Sequence, residues 1–219
     1  MNKTAYLNCD SPETQFDAWL ETCAPRGLLR PDEARLGSDA LLVVDVQEAF
    51  FNPASHAWIP SSAALERPVL DAVSVFLERK RPVLFCRHAE TDNSAHAAFS
   101  RFWKNRIQEG SPLSEFCPWL PLRDGAGVFR KSAYSAFHLT DFATRLATLG
   151  AQRLFLAGVA THLCLESTAR AAFDHGYLPV LLADACAAWN ATQHVRALAD
   201  LSEGVALIGS VKALREANP

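Results

Sequence analysis

The sequence predicts a doubly wound three-layer α/β/α domain, and three features of its patterning carry that prediction. From residue 40 onward, short apolar runs recur along the chain. Within each run consecutive positions are apolar, not every second one, which is how a strand buried on both faces reads. Between the runs, apolar residues fall at helical spacing. Strands that alternate with helices pair in parallel through right-handed crossovers, and the helices then cover both faces of one sheet.

The first run is 40–46 (ALLVVDV). Leu65, Val69, Val73, Phe76 and Leu77 follow at helical spacing, and 82–86 (PVLFC) is the next strand. A weaker strand is expected at 127–130 (GVFR). Leu139, Phe142, Leu146 and Leu149 mark a helix closed by Gly150, placed where a left-handed conformation ends a helix. The run 152–159 (QRLFLAGV) leads into a helix from about Leu163 to His175 that stops at Gly176. Strand 178–183 (LPVLLA), a helix from near Asn190 to about Leu201, and strand 204–208 (GVALI) complete the alternation. Residues 1–38 differ, with prolines at 12, 25 and 31, scattered charges and one short amphipathic segment through Phe16, Trp19 and Leu20. They read as an N-terminal extension that packs on the domain of residues 39–219 or on a neighbouring subunit. Tandem repeats and low-complexity tracts are absent.

A chain of 219 residues suits one α/β domain with a substantial core. Its formal charge of −3 leaves no basic excess to neutralise phosphates, so neither nucleic acid nor an anionic membrane is an expected partner. The opening residues, MNKTAYLNCD, lack the apolar run of a secretory signal, and no stretch of about 18 apolar residues is present to span a bilayer. The six cysteines (Cys9, Cys23, Cys86, Cys117, Cys164 and Cys186) form no C-x-x-C pair or scaffold spacing. They read as reduced thiols of a cytoplasmic protein, several buried as small hydrophobes.

Active sites of such sheets lie beyond the carboxyl ends of the strands. Asp45 interrupts the run ALLVVDVQ, and a carboxylate in a buried strand is costly unless paired. Read alone, it is also explained as a strand-end cap of a nearby loop. Gln47, two residues on, lies on the same side of an extended chain. Lys131 follows GVFR; a lysine at a strand end is ordinarily a surface residue. Cys164 sits where LFLAGV turns into a helix, and the positive end of a helix favours thiolate. A buried structural thiol is the plainer alternative. Together the three supply a sulfur nucleophile, a proton acceptor and a cation that lowers the thiol pKa.

The segments ALLVVDVQEAFF, FRKSAYSAF and GVATHLCLESTARAAFDHGY resemble the three signature blocks of the isochorismatase-like cysteine hydrolases. The resemblance covers roughly residues 40–210, in the family's order. It implies a six-stranded parallel sheet, a catalytic triad of Asp45, Lys131 and Cys164, and a cis peptide between Val159 and Ala160. It also implies an oxyanion hole made by the backbone N–H groups of Ala160 and Cys164. The implied activity is cofactor-free hydrolysis of an amide-like C–N bond in a small molecule through a thioester. The implied assembly is a homodimer or homotetramer.

Isochorismatases of the superfamily that cleave a vinyl ether typically lack this cysteine, so Cys164 favours carbonyl chemistry over that alternative. A catalytically silent, metabolite-binding homologue is the third reading. Nicotinamidases of the superfamily bind a metal through an Asp-x-His pair and a further His, a pattern not found here. No metal is therefore expected, although His56, His88 and His96 leave one open. The expected substrate-binding residues are Gln47, Phe50, Phe51, Trp58, Arg87, His88, Trp103, Tyr134, Phe137 and His162. Arg87 and His88, ending PVLFCRH, would suit a substrate carboxylate if they face the pocket.

Overall fold

A computed structural model describes residues 2–7, 12–91, 97–122 and 127–219. Six parallel strands form one sheet: β1 (Asp39–Val44), β2 (Val83–His88), β3 (Gly127–Lys131), β4 (Arg153–Val159), β5 (Leu178–Ala187) and β6 (Leu207–Gly209). Their order across the sheet is β3-β2-β1-β4-β5-β6. The chain therefore winds outward from β1 in one direction, then from β4 in the other. The crevice at such a reversal, above the carboxyl ends of β1 and β4, is where ligands bind in this architecture.

The helices are α1 (Pro12–Leu20), α2 (Glu48–Phe51), α3 (Glu66–Glu78), α4 (Ala97–Phe102), α5 (Phe142–Thr148), α6 (Glu166–Asp174), α7 (Ala191–Ser202) and α8 (Val211–Ala217). Alternation along β1 explains why its run is apolar throughout. Ala40, Leu42 and Val44 pack with Phe142, Leu146, Ala169, Ala172, Leu198 and Leu201 of α5, α6 and α7. Leu41 and Val43 pack with Val69, Val73 and Phe76 of α3 and Val211 and Leu214 of α8 on the opposite face. Two cores, one per face, thus account for the three layers.

The helix ends follow their local chemistry. Gly150 (φ 64°) and Gly176 (φ 85°) adopt the left-handed conformation just beyond α5 and α6. Asn190 and Ser210 cap α7 and α8 by accepting from the N–H of Gln193 and Ala213. Strand β6 is shorter and later than the run 204–208 suggests, because Val205 and Ala206 instead donate to Leu201 O and finish the α7 turn. Helix α8 was not expected from periodicity; its seven residues are too few to establish one.

Trp19, Cys23, Tyr6 and Leu28 join the core beneath α5–α7. Leu28 bridges to Ile208 of β6. No helix among the described residues is long and apolar enough to cross a membrane.

Candidate active site

Asp45 stands one residue past β1 in a left-handed conformation (φ 54°), its N–H donating to Cys86 O on β2 at 2.9 Å. That turn aims the carboxylate back under the crevice. Close approach of β4 requires a glycine: a Cβ at Gly158 would sit 2.0 Å from Val44 O. The following peptide, Val159–Ala160, is cis. Beyond it a π-helical turn (Thr161–Leu165) carries Cys164 into α6, with the N–H groups of Leu163 and Leu165 both donating to Ala160 O. Lys131 is the last residue of edge strand β3 and reaches across β2.

These three side chains meet. Lys131 Nζ lies 2.7 Å from Asp45 Oδ2 and donates to Cys164 Sγ at 3.2 Å and to Ala133 O at 3.1 Å. Two of the three ammonium N–H groups thus make hydrogen bonds, and the contact with Asp45 is an ion pair. Asp45 and Lys131 have fully buried side chains, while Cys164 is 7% exposed and opens onto a cavity. A buried ion pair contributes little to stability against an apolar replacement of the same volume, so its presence under a cavity points to chemistry.

The electrostatics depart from expectation at the sulfur. Burial pushes the Cys164 thiol up to about 12; Lys131 pulls it down, and Asp45 raises it further both by its charge and by accepting the S–H. The expected depressed thiol pKa is thus not what this packing gives. The cation and helix start are present, but burial and the adjacent carboxylate outweigh them. Burial also works against the Lys131 charge, yet Asp45 and the neighbouring thiols overcome it and the net shift is upward. Cys86, fully buried beside the same cluster, has its thiol driven well up by burial and by Asp45.

The cavity above Cys164 has a volume of about 320 Å³, at the small end for metabolite sites. Of the residues expected to bind substrate, Phe50, His88, Trp103 and Tyr134 line it, as do Ala160 and Cys164. Trp103 Nε1 donates to Tyr134 Oη at 2.7 Å, and His88 stacks on Phe99 at 5.7 Å, so this wall is cross-braced.

The other expected contacts do not reach the cavity. Gln47 is buried, its amide donating to His88 O and Ser114 O while its Oε1 accepts the His88 N–H; it staples β2 to a loop. Arg87 points to the other side of β2, paired with Glu109, because consecutive strand residues face opposite ways. Phe51 packs edge-on against Trp119, and Phe137 stacks on His175 and against Phe142. Trp58 offers its backbone carbonyl, not its ring, to Lys3. His162 lies behind the wall, edge-on to Trp189, and burial lowers its pKa to about 4. Sequence reasoning missed Trp189, Leu163, Glu90 and Lys3, all of which line the cavity. Trp189 carried a usable signal, since it follows the end of β5; Lys3 carried none.

His56 and His88 line the cavity, whereas His96 lies outside the described residues. His88 Nε2 is 3.7 Å from Glu90, whose other oxygen accepts from Arg106 at 2.8 Å. Among the described residues no group of three or more His, Cys, Asp or Glu is arranged to hold a metal ion.

A family model described as the isochorismatase domain matches residues 39–212. The chain is 29% identical to nicotinamidase 3 of Arabidopsis thaliana over 184 residues, 80% of this chain and 86% of that protein. It is 24% identical to maleamate amidohydrolase of Pseudomonas putida over 168 residues, 74% of this chain and 78% of that one. A cysteine hydrolase from Pseudomonas syringae pv. phaseolicola 1448A shares the fold, with a TM-score of 0.79 at 22% identity over 89% of this chain and 100% of that one. The matched residues run from the first residue of β1 into α8 and hold Asp45, Lys131 and Cys164, and the chain belongs to the isochorismatase family.

Proposed function

We propose that this hydrolase cleaves the amide-like C–N bond of a small metabolite, with Cys164 as nucleophile, Asp45 as proton carrier and Lys131 as the fixed cation. The observation that carries this reading is the buried ammonium, 2.7 Å from Asp45 and 3.2 Å from Cys164, directly under the cavity. The family's amidohydrolases support hydrolysis in general; the assignment of roles is ours.

The resting thiol, held neutral by burial, gives its proton to Asp45 as sulfur attacks the carbonyl carbon. A C–S bond forms and the carbonyl π electrons move to oxygen. The backbone N–H groups of Ala160 and Cys164 are proposed to hold that oxyanion, one such donor being worth about 3–4 kcal/mol. Collapse breaks the C–N bond, and Asp45 passes its proton to the departing nitrogen. A water then enters, gives a proton to Asp45 and attacks the thioester. The C–S bond breaks, the sulfur regains its proton from Asp45, and a carboxylic acid leaves. Lys131 stays protonated throughout, and its field offsets the negative charge on sulfur and carboxylate in turn.

The chain is further proposed to work as a homodimer or homotetramer in the cytoplasm. Exposed Leu139, Leu149 and Phe173 offer apolar contact surface, and light scattering at micromolar concentration is the check. The decisive test of function is a panel of small amides, ureides and isochorismate against wild type and Cys164→Ala. Loss of amide turnover in the variant, with an acyl adduct on wild-type Cys164 by intact mass, is the expected result. Retained turnover of isochorismate by Cys164→Ala would replace this reading with vinyl ether hydrolysis. No turnover by either protein would point to a metabolite-binding homologue.

A further inference from the structure

Residues 2–7, of which Lys3 lines the cavity, are held on both sides. On one side, Thr4 N–H donates to Trp189 O at 2.9 Å, Asn190 Nδ2 to Asn2 O at 2.8 Å, and Ala188 N–H to Tyr6 Oη at 2.8 Å. On the other, the N–H groups of Tyr6 and Leu7 donate to Ser61 Oγ at 2.9 and 3.2 Å. Tyr6 is packed against His194 and Trp19, with ring centroids 5.5 and 6.1 Å away. The segment thus joins the 56–61 loop to the end of β5, and it carries one charged side chain into the cavity lining, Lys3.

Lys3 Nζ donates to His56 O at 3.0 Å and to Trp58 O at 2.8 Å, and lies 6.0 Å from the centre of the Trp189 ring. Two of its three N–H donors are spent on neutral carbonyls, and among the described residues it has no carboxylate partner. Partial burial lowers its pKa, as expected for an ammonium drawn from water without a counter-charge. Among the described residues, the remaining charges of the lining do not cancel it. Glu90, the one carboxylate among the described lining residues, is already paired with Arg106, and Lys104 adds a second, exposed cation. Directly beneath, Lys131 and Asp45 neutralise one another. The cavity therefore has an apolar wall of Phe99, Trp103 and Trp189, the Cys164 thiol in its lining, and an ammonium with no carboxylate partner among the described residues.

We infer that Lys3 is a specificity-determining residue that binds an anionic group, a carboxylate in the simplest case, at the end of the substrate remote from the bond attacked by Cys164. The inference rests on the amide hydrolase reading for the role of Cys164. It assigns to the N-terminal segment the recognition that Arg87, turned to Glu109, does not perform. With two of its N–H groups on His56 O and Trp58 O, Lys3 has a third to donate to one such carboxylate oxygen.

A pair of thiol reagents tests this without knowledge of the substrate. Chloroacetylglycine and chloroacetylglycinamide differ only in a terminal carboxylate against a carboxamide; the β-alanine and γ-aminobutyrate homologues extend the reach. Rates of Cys164 alkylation, read by peptide mass spectrometry at pH 8, give an acid-to-amide ratio for each length. Wild type is expected to favour the acid by about fivefold at the best length, after division by the ratio for free cysteine. Lys3→Met should bring the corrected ratio to about one, and Lys3→Arg should retain the preference. The neutral reagent reports any change in access, so a loosened segment is separated from a lost charge. A ratio unchanged in Lys3→Met, or abolished instead by Lys104→Met, overturns the assignment while leaving the hydrolase reading intact. If neither reagent modifies wild-type Cys164, the nucleophile itself is wrong and the inference falls with it.

Discussion

The floor of the cavity and its walls are built on opposite principles. The floor is three side chains set by strand ends or by the turn leaving one, fully or almost fully buried, joined by contacts of 2.7 and 3.2 Å. The walls come mostly from loops, two short helices and the N-terminal segment, with His88 from the end of β2, and several of their side chains are half exposed; Phe102 is 73% exposed. Chemistry needs atoms fixed to fractions of an ångström, which strands supply. Discrimination among substrates needs surfaces that can differ between relatives, which loops supply. Substitutions in the floor should therefore abolish turnover, whereas those in the walls should redistribute it among substrates.

The largest effect is expected for Asp45→Asn. The amide keeps the shape but carries no proton in either half-reaction, so kcat should fall by about 10³-fold or more at every pH. The variant also leaves Lys131 charged and unpaired in the interior, at a cost of about 3–5 kcal/mol. Urea unfolding beside steady-state kinetics separates the two losses. Activity retained within tenfold would remove Asp45 from the floor and make it a loop cap.

A second contrast lies behind the walls. His194 is buried with its pKa pulled down to about 3, and its Nδ1 sits 2.8 Å from Thr161 Oγ1; His162 is held near 4. The unfolded chain protonates both near 6.5 while the folded chain keeps them neutral. Stability should accordingly be complete above about pH 6.5 and decline as pH falls toward 4. Thermal melts between pH 7 and 4.5 measure this. His194→Asn should flatten the decline, and an unchanged slope would show that other groups govern it.

The smallest effect is assigned to the braced wall. Trp103→Phe keeps an aromatic side chain but deletes the N–H that Tyr134 accepts. The loss should be about 1 kcal/mol, seen as a rise in KM of a few fold with kcat preserved. A loss in kcat instead would place Trp103 in the chemistry and blur the floor–wall distinction.

The same contrast governs what the sequence disclosed. Strands buried on both faces advertise themselves as apolar runs, so β1, β2, β4 and β5 were legible. Asp45 was legible in part: a carboxylate in such a run asks for a partner, but alone it reads equally as a strand-end loop cap. Cys164 sits at a strand-to-helix junction that also suits a buried structural thiol, so it too needed the others beside it. Lys131 was not remarkable by itself and gained meaning only beside the other two. Arg87 was misplaced although the register holds the answer: β2 and β3 pair Arg87 with Arg130 and His88 with Lys131, so only His88 shares the face of the floor. Phe51 and Phe137 belong to packing, as aromatic residues near a site more often do. Lys3 was beyond reach, because nothing in residues 2–7 encodes the path that brings them 55 positions along the chain to Trp58. The thiol pKa was misjudged for a related reason: helix start and cation are visible in sequence, whereas the depth of burial that opposes them is not.

The central claim is that Asp45, Lys131 and Cys164 act as one electrostatic unit, and the titration of the sulfur reads it most directly. Iodoacetamide labelling of Cys164, followed from pH 6 to 10.5 in wild type and in Lys131→Ala, is the measurement. In wild type the rate should still be climbing at the top of that range, as a thiol pushed up to about 12 requires. Removing the cation that stabilises the thiolate should displace the whole curve to higher pH. Cys117, whose thiol is also pushed up to about 12 but which does not line the cavity, serves as the internal comparison and should barely react in either protein. Superimposable curves for wild type and Lys131→Ala would contradict the account, because Lys131 would then exert no field on the sulfur it is placed 3.2 Å from.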